Sequence, residues 1–282
     1  MKNGFILNFT PTGMIPTKSM TPLVPITPAE VVTQVLEVVE LGVNMVHLHA
    51  RDPETGMPTF KKEIYAEIIS GIRDVNEDLI ICVSTSGRDF FEFKKRSEVL
   101  DLNGRLKPDF GSLTLSSLNF NKQASVNSPE MIKALARKML ENGIHPELEV
   151  FDLGMINYAK YLIRKELVKP PYYFNLILGN IACAQADMMS LGLMIRELPR
   201  GSIWSVGGVG DAQLTMNAMS IVAGGGARVG LEDNIWFDHD RTRLATNQQL
   251  VNRVVLIADA MGRKPLTCAK ARALLGLSSN KR

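Results

Sequence analysis

Cysteine is scarce: Cys82, Cys183 and Cys268 are the only three in 282 residues, and none belongs to a CxxC pair. That excludes a disulfide-stapled scaffold and argues against a cysteine-type zinc site or redox motif. An excess of one charge is also missing. Lys and Arg number 32 against 29 Asp and Glu, a net charge of +3, so no tail for nucleic acid is present. The densest basic cluster, Lys94-Lys95-Arg96, reads as a solvated helix face. No stretch approaches the roughly 20 apolar residues of a membrane span, and Phe5–Phe9 is too short for the apolar part of a signal peptide. The expectation is a cytoplasmic protein with reduced thiols and no membrane partner. What is present is ordinary: 45% hydrophobic and 22% charged residues, which suits a large folded core and excludes a disordered chain.

Short apolar runs alternate with longer amphipathic patterns. Strands are expected at Phe5–Phe9, Asn44–His49, Leu79–Ser84, Phe110–Leu115, Glu147–Phe151, Tyr173–Leu178, Ser202–Val206 and Ala227–Gly230. Helices are expected from Thr27 to Gly42, then over Lys61–Val75, Phe90–Leu100, Ser128 to Gly143, Tyr158–Val168, Ala186–Leu198, Leu214–Ala223 and Leu244–Met261. Thr27-Pro28-Ala29-Glu30 carries three agreeing start signals: a Thr N-cap, Pro at the first position and Glu at the third. Runs such as LIICVS suit a parallel sheet buried on both faces. Eight strands each followed by a helix predict a (β/α)8 TIM barrel of the α/β class, one domain over residues 1–282 with a short extra helix at Ala269–Leu275. A doubly wound sheet shares the alternation, but the regular repeats without a linker favour the barrel.

A barrel of this kind works at the C-terminal ends of its strands. His47 and His49 are two apart in a strand, so both project to one side, with Leu48 on the other. Only four histidines occur in the chain, and paired imidazoles suit Zn²⁺. The competing reading is two core histidines satisfied by hydrogen bonds. A third ligand would come from another strand end. Glu232 or Asp233, after the eighth strand, could supply it, and spacing does not choose between them. Arg228 alternates with Gly230 and Glu232, and could pair with Asp233 or hold an anion. Ser84-Thr85-Ser86-Gly87-Arg88 ends the third strand and suggests a loop that wraps a carboxylate or phosphate. Ser112 and Thr114 alternate along the fourth strand. Glu149 is an acid inside a buried run and needs a partner; it is a candidate base or a group that orients another. His145 and His239 read as loop residues at the surface. Gly207-Gly208-Val209-Gly210 lacks the third glycine of a dinucleotide fingerprint.

These segments resemble the β-keto acid cleavage enzymes over nearly the whole chain. The marks are PTG at 11–13, VPITP at 24–28, HLHxRD at 47–52, STxG at 84–87, PELEV at 146–150 and GLEDN at 230–234. The resemblance implies a (β/α)8 barrel with one zinc held by His47, His49 and Glu232. It implies a reaction in which a β-keto acid and acetyl-CoA, as co-substrate, give acetoacetate and a new acyl-CoA. It assigns proton handling to Arg228 and Asp233, and maps Ser84, Ser112, Thr114 and Glu149 to the pocket wall; Thr85 and Gly87 belong to the same substrate-binding loop. One departure stands out. The aminohexanoate-cleaving member has a glutamate after the first strand to hold the substrate ammonium, whereas this chain has Gly13-Met14-Ile15-Pro16. An amino-substituted substrate is therefore not expected. An uncharged side chain fits Met14 and Ile15, and a dicarboxylic β-keto acid fits if Arg88 reaches the pocket. A homo-oligomer, dimer or tetramer, is expected. The alternatives are a metal-dependent barrel hydrolase or aldolase that does not use CoA, and a barrel that only binds a ligand.

Overall fold

The computed structural model describes residues 3–278. Eight parallel strands close into a barrel: β1 (Leu7–Phe9), β2 (Met45–Leu48), β3 (Ile80–Val83), β4 (Phe110–Thr114), β5 (His145–Val150), β6 (Tyr173–Leu178), β7 (Ile203–Gly208) and β8 (Gly226–Val229). Neighbours in sequence are neighbours in the barrel, and β8 returns to β1 through the pair Arg228↔Asn8. Helices α1 (Pro28–Val39), α2 (Lys62–Val75), α3 (Phe93–Ser97), α4 (Pro129–Glu141), α5 (Leu153–Arg164), α6 (Met188–Glu197), α7 (Ala212–Ala223) and α8 (Asn247–Ala260) follow the strands in turn. The capping box expected at Thr27 is formed, with Glu30 Oε2 accepting from the Thr27 amide at 3.0 Å.

The alternation of side chains sorts the core into two parts. Outward residues such as Leu48, Val83, Leu148 and Leu176 pack under the helices in one large cluster. Inward residues form layers. The lowest layer is apolar: Met45, Ile80, Phe110, Tyr173 and Ile203 pack with Ala271 of a ninth helix, α9 (Cys268–Leu274), and with Leu275 at its C-cap, and the helix closes the bottom. The next layer is polar, with Asn8, His47, Glu147, Asn175 and Ser205 all buried. The change from apolar to polar along the barrel axis is what leaves the upper end for chemistry.

Several boundaries differ from the expectation. The first strand is broken at Ile6, and Gly4–Phe5 pairs instead with Lys264–Pro265 outside the barrel. The third helix is short and runs into a 3₁₀ turn at Glu98–Asp101. Helix α5 starts earlier than Tyr158, because Asp152 caps it by accepting from the Met155 amide at 3.0 Å. A hairpin of Leu118–Asn119 with Ala124–Ser125 was not expected; it rises beside the barrel mouth. Arg96 is not solvated. It is 3% exposed, and its guanidinium bonds Thr85 O, Val126 O and Asn127 Oδ1. His145 is not a loop residue but begins β5, half-buried with its ring 5.4 Å from Phe110.

Candidate active site at the barrel mouth

The C-terminal strand ends open into a cavity of about 960 Å³. At its floor, His47 Nε2 and His49 Nε2 approach to 3.3 Å, and Glu232 Oε1 lies 3.2 Å from His49 Nε2. His47 comes from β2 and His49 from just beyond it. Glu232 sits in the turn after β8, where its amide donates to Thr10 O. Gly13 has φ +64°, and a Cβ there would lie 2.5 Å from Glu232 Cγ, so glycine is what lets the first loop pass over this carboxylate.

The donor set fits a divalent metal. Two imidazole nitrogens and a carboxylate oxygen, on His47, His49 and Glu232, lie within 4.8 Å of one another. Glu232 Oε2 is buried without a hydrogen-bond partner among the described residues. An ionised carboxylate in that condition is costly unless a cation takes it up. Burial alone would raise its pKa, yet His49 and Arg228 hold it well below the usual carboxylate range.

Beneath this cluster lies a residue to which the sequence reading gave no role. Glu147 is fully buried, and its Oε2 is 2.6 Å from His47 Nδ1. Its other bonds come from Asn8 Nδ2 at 2.7 Å, Asn175 Nδ2 at 3.1 Å and the Cys82 thiol at 3.3 Å. Burial favours its neutral form, but His47 outweighs that and keeps the carboxyl ionised. An ionised acceptor at Nδ1 puts the His47 proton there and turns Nε2 toward the cavity. Without metal, Glu147 also overrides the burial that would lower His47 and holds its pKa up at about 9, whereas burial lowers that of His49. Metal uptake at His47 would thus release a proton. His47, Cys82 and Glu147 form a second cluster of possible ligands. The oxygens of Glu147 are already taken by four donors, and burial pushes the thiol pKa well up, so that cluster is a hydrogen-bonded floor. The signal for Glu147 was available, since it shares the inward face of β5 with Glu149.

Arg228 organises the opposite wall. Its Nε donates to Asp233 Oδ2 at 2.9 Å and its Nη2 to Glu232 Oε1 at 2.7 Å; Nη1 is 3.6 Å from Glu149 Oε1. Nη1 is itself buried with no hydrogen-bond partner. Burial is outweighed by the three acids, and its pKa is raised well above the ordinary value. The carboxyls of Asp233 and Glu149 both have raised pKa values, burial being the main cause. Thr114 Oγ1 donates to Glu149 Oε2 at 2.7 Å.

The hydroxyl residues divide. Ser84 and Thr114 line the cavity; Thr85, Ser112 and Gly87 do not. Thr85 and Ser112 bond each other, Thr85 Oγ1 to Ser112 O at 2.6 Å and Thr85 N to Ser112 Oγ at 3.1 Å, so they brace the wall behind. Arg51, part of the HLHxRD segment, reaches back to Gly13 O, Pro16 O and Gly56 O and holds the first loop over the mouth. His239 is exposed in a loop away from the strands.

A cluster of candidate metal-binding residues beside an Arg–Asp pair, at the mouth of a closed parallel barrel, is the layout of a TIM-barrel enzyme site. The profile of the β-keto acid cleavage enzymes matches residues 5–277, and the chain belongs to that family, a group of acyltransferases. It is 34% identical over 278 residues to a 3-keto-5-aminohexanoate cleavage enzyme of Fusobacterium nucleatum, covering 98% of this chain and 99% of that one. It is 35% identical over 278 residues to a 3-oxoadipate:acetyl-CoA acetyltransferase of Cupriavidus necator, covering 97% and 95%. Among solved structures, apo ObcA superposes with a TM-score of 0.81 at 21% identity, over 91% of this chain and 66% of that one, a likeness of fold. No described helix is long and apolar enough to cross a membrane.

Proposed function

We propose that the chain is a zinc-dependent enzyme that converts a β-keto acid and acetyl-CoA into acetoacetate and a new acyl-CoA. The observation that carries this is the pair of orphaned buried atoms, Glu232 Oε2 and Arg228 Nη1, beside two facing imidazole nitrogens. One atom calls for a cation and the other for an anion, which a chelated β-keto acid supplies together. The names of relatives that use acetyl-CoA support the co-substrate.

His47, His49 and Glu232 would hold the ion, which when bound supplies Lewis-acid polarisation of the β-keto acid oxygens. Asp233 takes the proton from the carbon between the carbonyls, and its raised pKa makes it a stronger base than an ordinary aspartate. Arg228 stays charged, positions Asp233 and offers Nη1 to developing oxyanion charge. The carbanion forms a bond to the acetyl carbonyl carbon, and the thiolate of CoA leaves. That thiolate then attacks the former keto carbon; the original carbon–carbon bond breaks, and its electron pair is protonated from Asp233 as acetoacetate departs. Glu149, held by Thr114, is a further proton-holding group. Ser84 and Thr114 contact substrate, while Thr85, Ser112 and Gly87 shape the loop that presents them. Met14 and Ile15 line the cavity, and with no acid at residues 13–16 the first loop offers an ammonium-bearing substrate no counter-charge. Free thiols at Cys82, Cys183 and Cys268 suit a cytoplasmic location, and exposed Met188 and Met189 suit a homo-oligomer.

The test is acetoacetate formation from acetyl-CoA with a panel of β-keto acids, with and without a chelator. Product that requires both the CoA ester and the metal is the expected result. No product from any panel member with metal bound would favour a barrel hydrolase or aldolase.

A further inference from the structure

One charged group in the cavity has no role in the chemistry above. Arg88 lines the cavity, and its guanidinium carbon lies 3.8 Å from the centroid of the Phe120 ring. Among the described residues its guanidinium makes no hydrogen bond and no ion pair. A half-buried guanidinium with five donors and only an aromatic face against it is set up to receive a planar anion.

The surroundings hold Arg88 in place. Gly87 is packed so closely that a Cβ there would lie 2.4 Å from Val126 O and 2.7 Å from Arg96 Nη1. Arg96 clamps Thr85 O and Val126 O, Val126 N donates to Gly87 O, and Gln123 Nε2 donates to Asp89 Oδ1. The loop after β3 and the Leu118–Ser125 hairpin are thereby one braced unit, and Arg88 projects from it already ordered. Burial lowers the pKa of Arg88, and the carboxylates of Glu232, Asp89, Glu149 and Asp233 oppose that; the side chain lines the same cavity as Glu232, Glu149 and Asp233. Besides Arg228 at the reaction centre, two other cations border the cavity, and both are placed differently. Lys122 and Arg241 are exposed at the rim, where Arg241 already pairs with Asp211. The rim cations suit the phosphates of a CoA ester outside, whereas Arg88 is within.

We infer that Arg88 is a specificity residue that binds a second carboxylate, at the far end of the β-keto acid, so that the substrate class is a 3-oxo dicarboxylic acid. This rests on the reaction proposed above. The α-carboxylate and keto oxygen are spent at the His47–His49–Glu232 end, and the first loop contributes only apolar Met14 and Ile15. Among the described cations that line the cavity, Arg88 is therefore the one that is neither used at the reaction centre nor exposed at the rim.

The experiment compares kcat and KM for 3-oxoglutarate, 3-oxoadipate and 3-oxopimelate, each beside the 3-oxo monocarboxylic acid of equal length, in the metal-loaded wild type, Arg88→Leu and Arg88→Lys. The wild type is expected to favour one dicarboxylate over its neutral counterpart by at least about tenfold in kcat/KM. Arg88→Leu is expected to lose about 100-fold on that dicarboxylate, mostly in KM, and to reverse the preference. Arg88→Lys is expected to lose about tenfold, because the charge stays while the fork geometry goes. Circular dichroism and metal content identify any variant that has failed to fold. The inference is overturned if the wild type turns over only neutral substrates, or if Arg88→Leu raises KM for acetyl-CoA and leaves the preference unchanged. In both of those cases acetoacetate still forms and the reaction stands. Absence of product from every acid would instead sink the reaction and this inference with it.

Discussion

The two ends of the barrel each bury a cluster of arginine and carboxylate, in opposite proportion. At the bottom, one acid serves two cations: Asp109 Oδ1 is 2.9 Å from Arg272 Nη2, and Asp109 Oδ2 is 3.3 Å from Arg73 Nη2. The spare donors go to backbone, Arg73 Nη2 to Lys107 O and Arg272 Nε to Ser278 O, and Asp109 also accepts from the Ile81 amide. At the top, one cation serves three acids: Arg228 meets Glu149, Glu232 and Asp233. Glu147 lies just below, paired with His47. An excess of buried cations can be met by carbonyl dipoles, which every backbone offers. Buried carboxylates are met in the same way by backbone amides, as Asp109 is by Ile81, but no donor among the described residues reaches Glu232 Oε2. The bottom joins two cations to one shared acid and ties α9 to the barrel, with Arg73 Nε left without a hydrogen-bond partner among the described residues; the top leaves a carboxylate oxygen bare beside two imidazole nitrogens.

If that contrast is right, the ends should fail in different ways. The largest effect is expected from His49→Ala, which removes one of the three converging donors. Activity should fall by about 10³-fold or more while the melting temperature changes little, read by acetoacetate assay and calorimetry. Asp109→Ala should do the reverse. It removes the acid that two buried guanidinium groups share, at a cost of about 3–5 kcal/mol in denaturant unfolding, with activity per folded molecule retained. Equal loss of activity in both variants would dissolve the distinction between the ends.

Glu147→Gln sharpens the boundary between structure and chemistry. It keeps the shape but weakens the hold on His47 Nδ1, and metal affinity measured by competition with a chelator should fall about 10- to 100-fold. The smallest effect belongs to Glu30, which is part of neither cluster. Burial alone would raise its pKa, but Lys18 and the amides of Ile26 and Thr27 hold it down at about 2, against an ordinary 4.5. A depressed folded-state value means stability that is present above pH 4.5 and is lost as pH falls from 4.5 toward 2. The side chain is 40% exposed, so Glu30→Gln should cost under about 1 kcal/mol at neutral pH, and the difference from wild type should vanish at low pH.

Much of the fold and of the upper site could be read from sequence, and the reasons the rest could not are physical. The strand–helix alternation is carried by periodicity, which burial enforces along every element. His47 and His49 stand out because a strand puts alternate residues on one side. The same rule places Glu147 with Glu149, yet only Glu149 drew notice. The four donors that satisfy Glu147 come from β1, β2, β3 and β6, and pairings between distant strands leave no local trace. Glu232 and Asp233 lie in a turn, where no period fixes direction, so family likeness rather than spacing separated them. Arg96 was misread for the same kind of reason: its carbonyl partners, on Thr85 and Val126, are backbone atoms that any sequence would have. Helix α5 began earlier than expected because one capping side chain, Asp152, decided its start.

The most direct test of the claim that the top of the barrel is completed by a cation is the metal content of the purified protein by inductively coupled plasma mass spectrometry. Wild type and Glu232→Gln would be compared after dialysis against zinc and then against metal-free buffer. The account predicts about one divalent ion per chain in the wild type and at least about tenfold less in the variant. A wild type that retains no divalent ion, or a Glu232→Gln protein that retains as much, would contradict it.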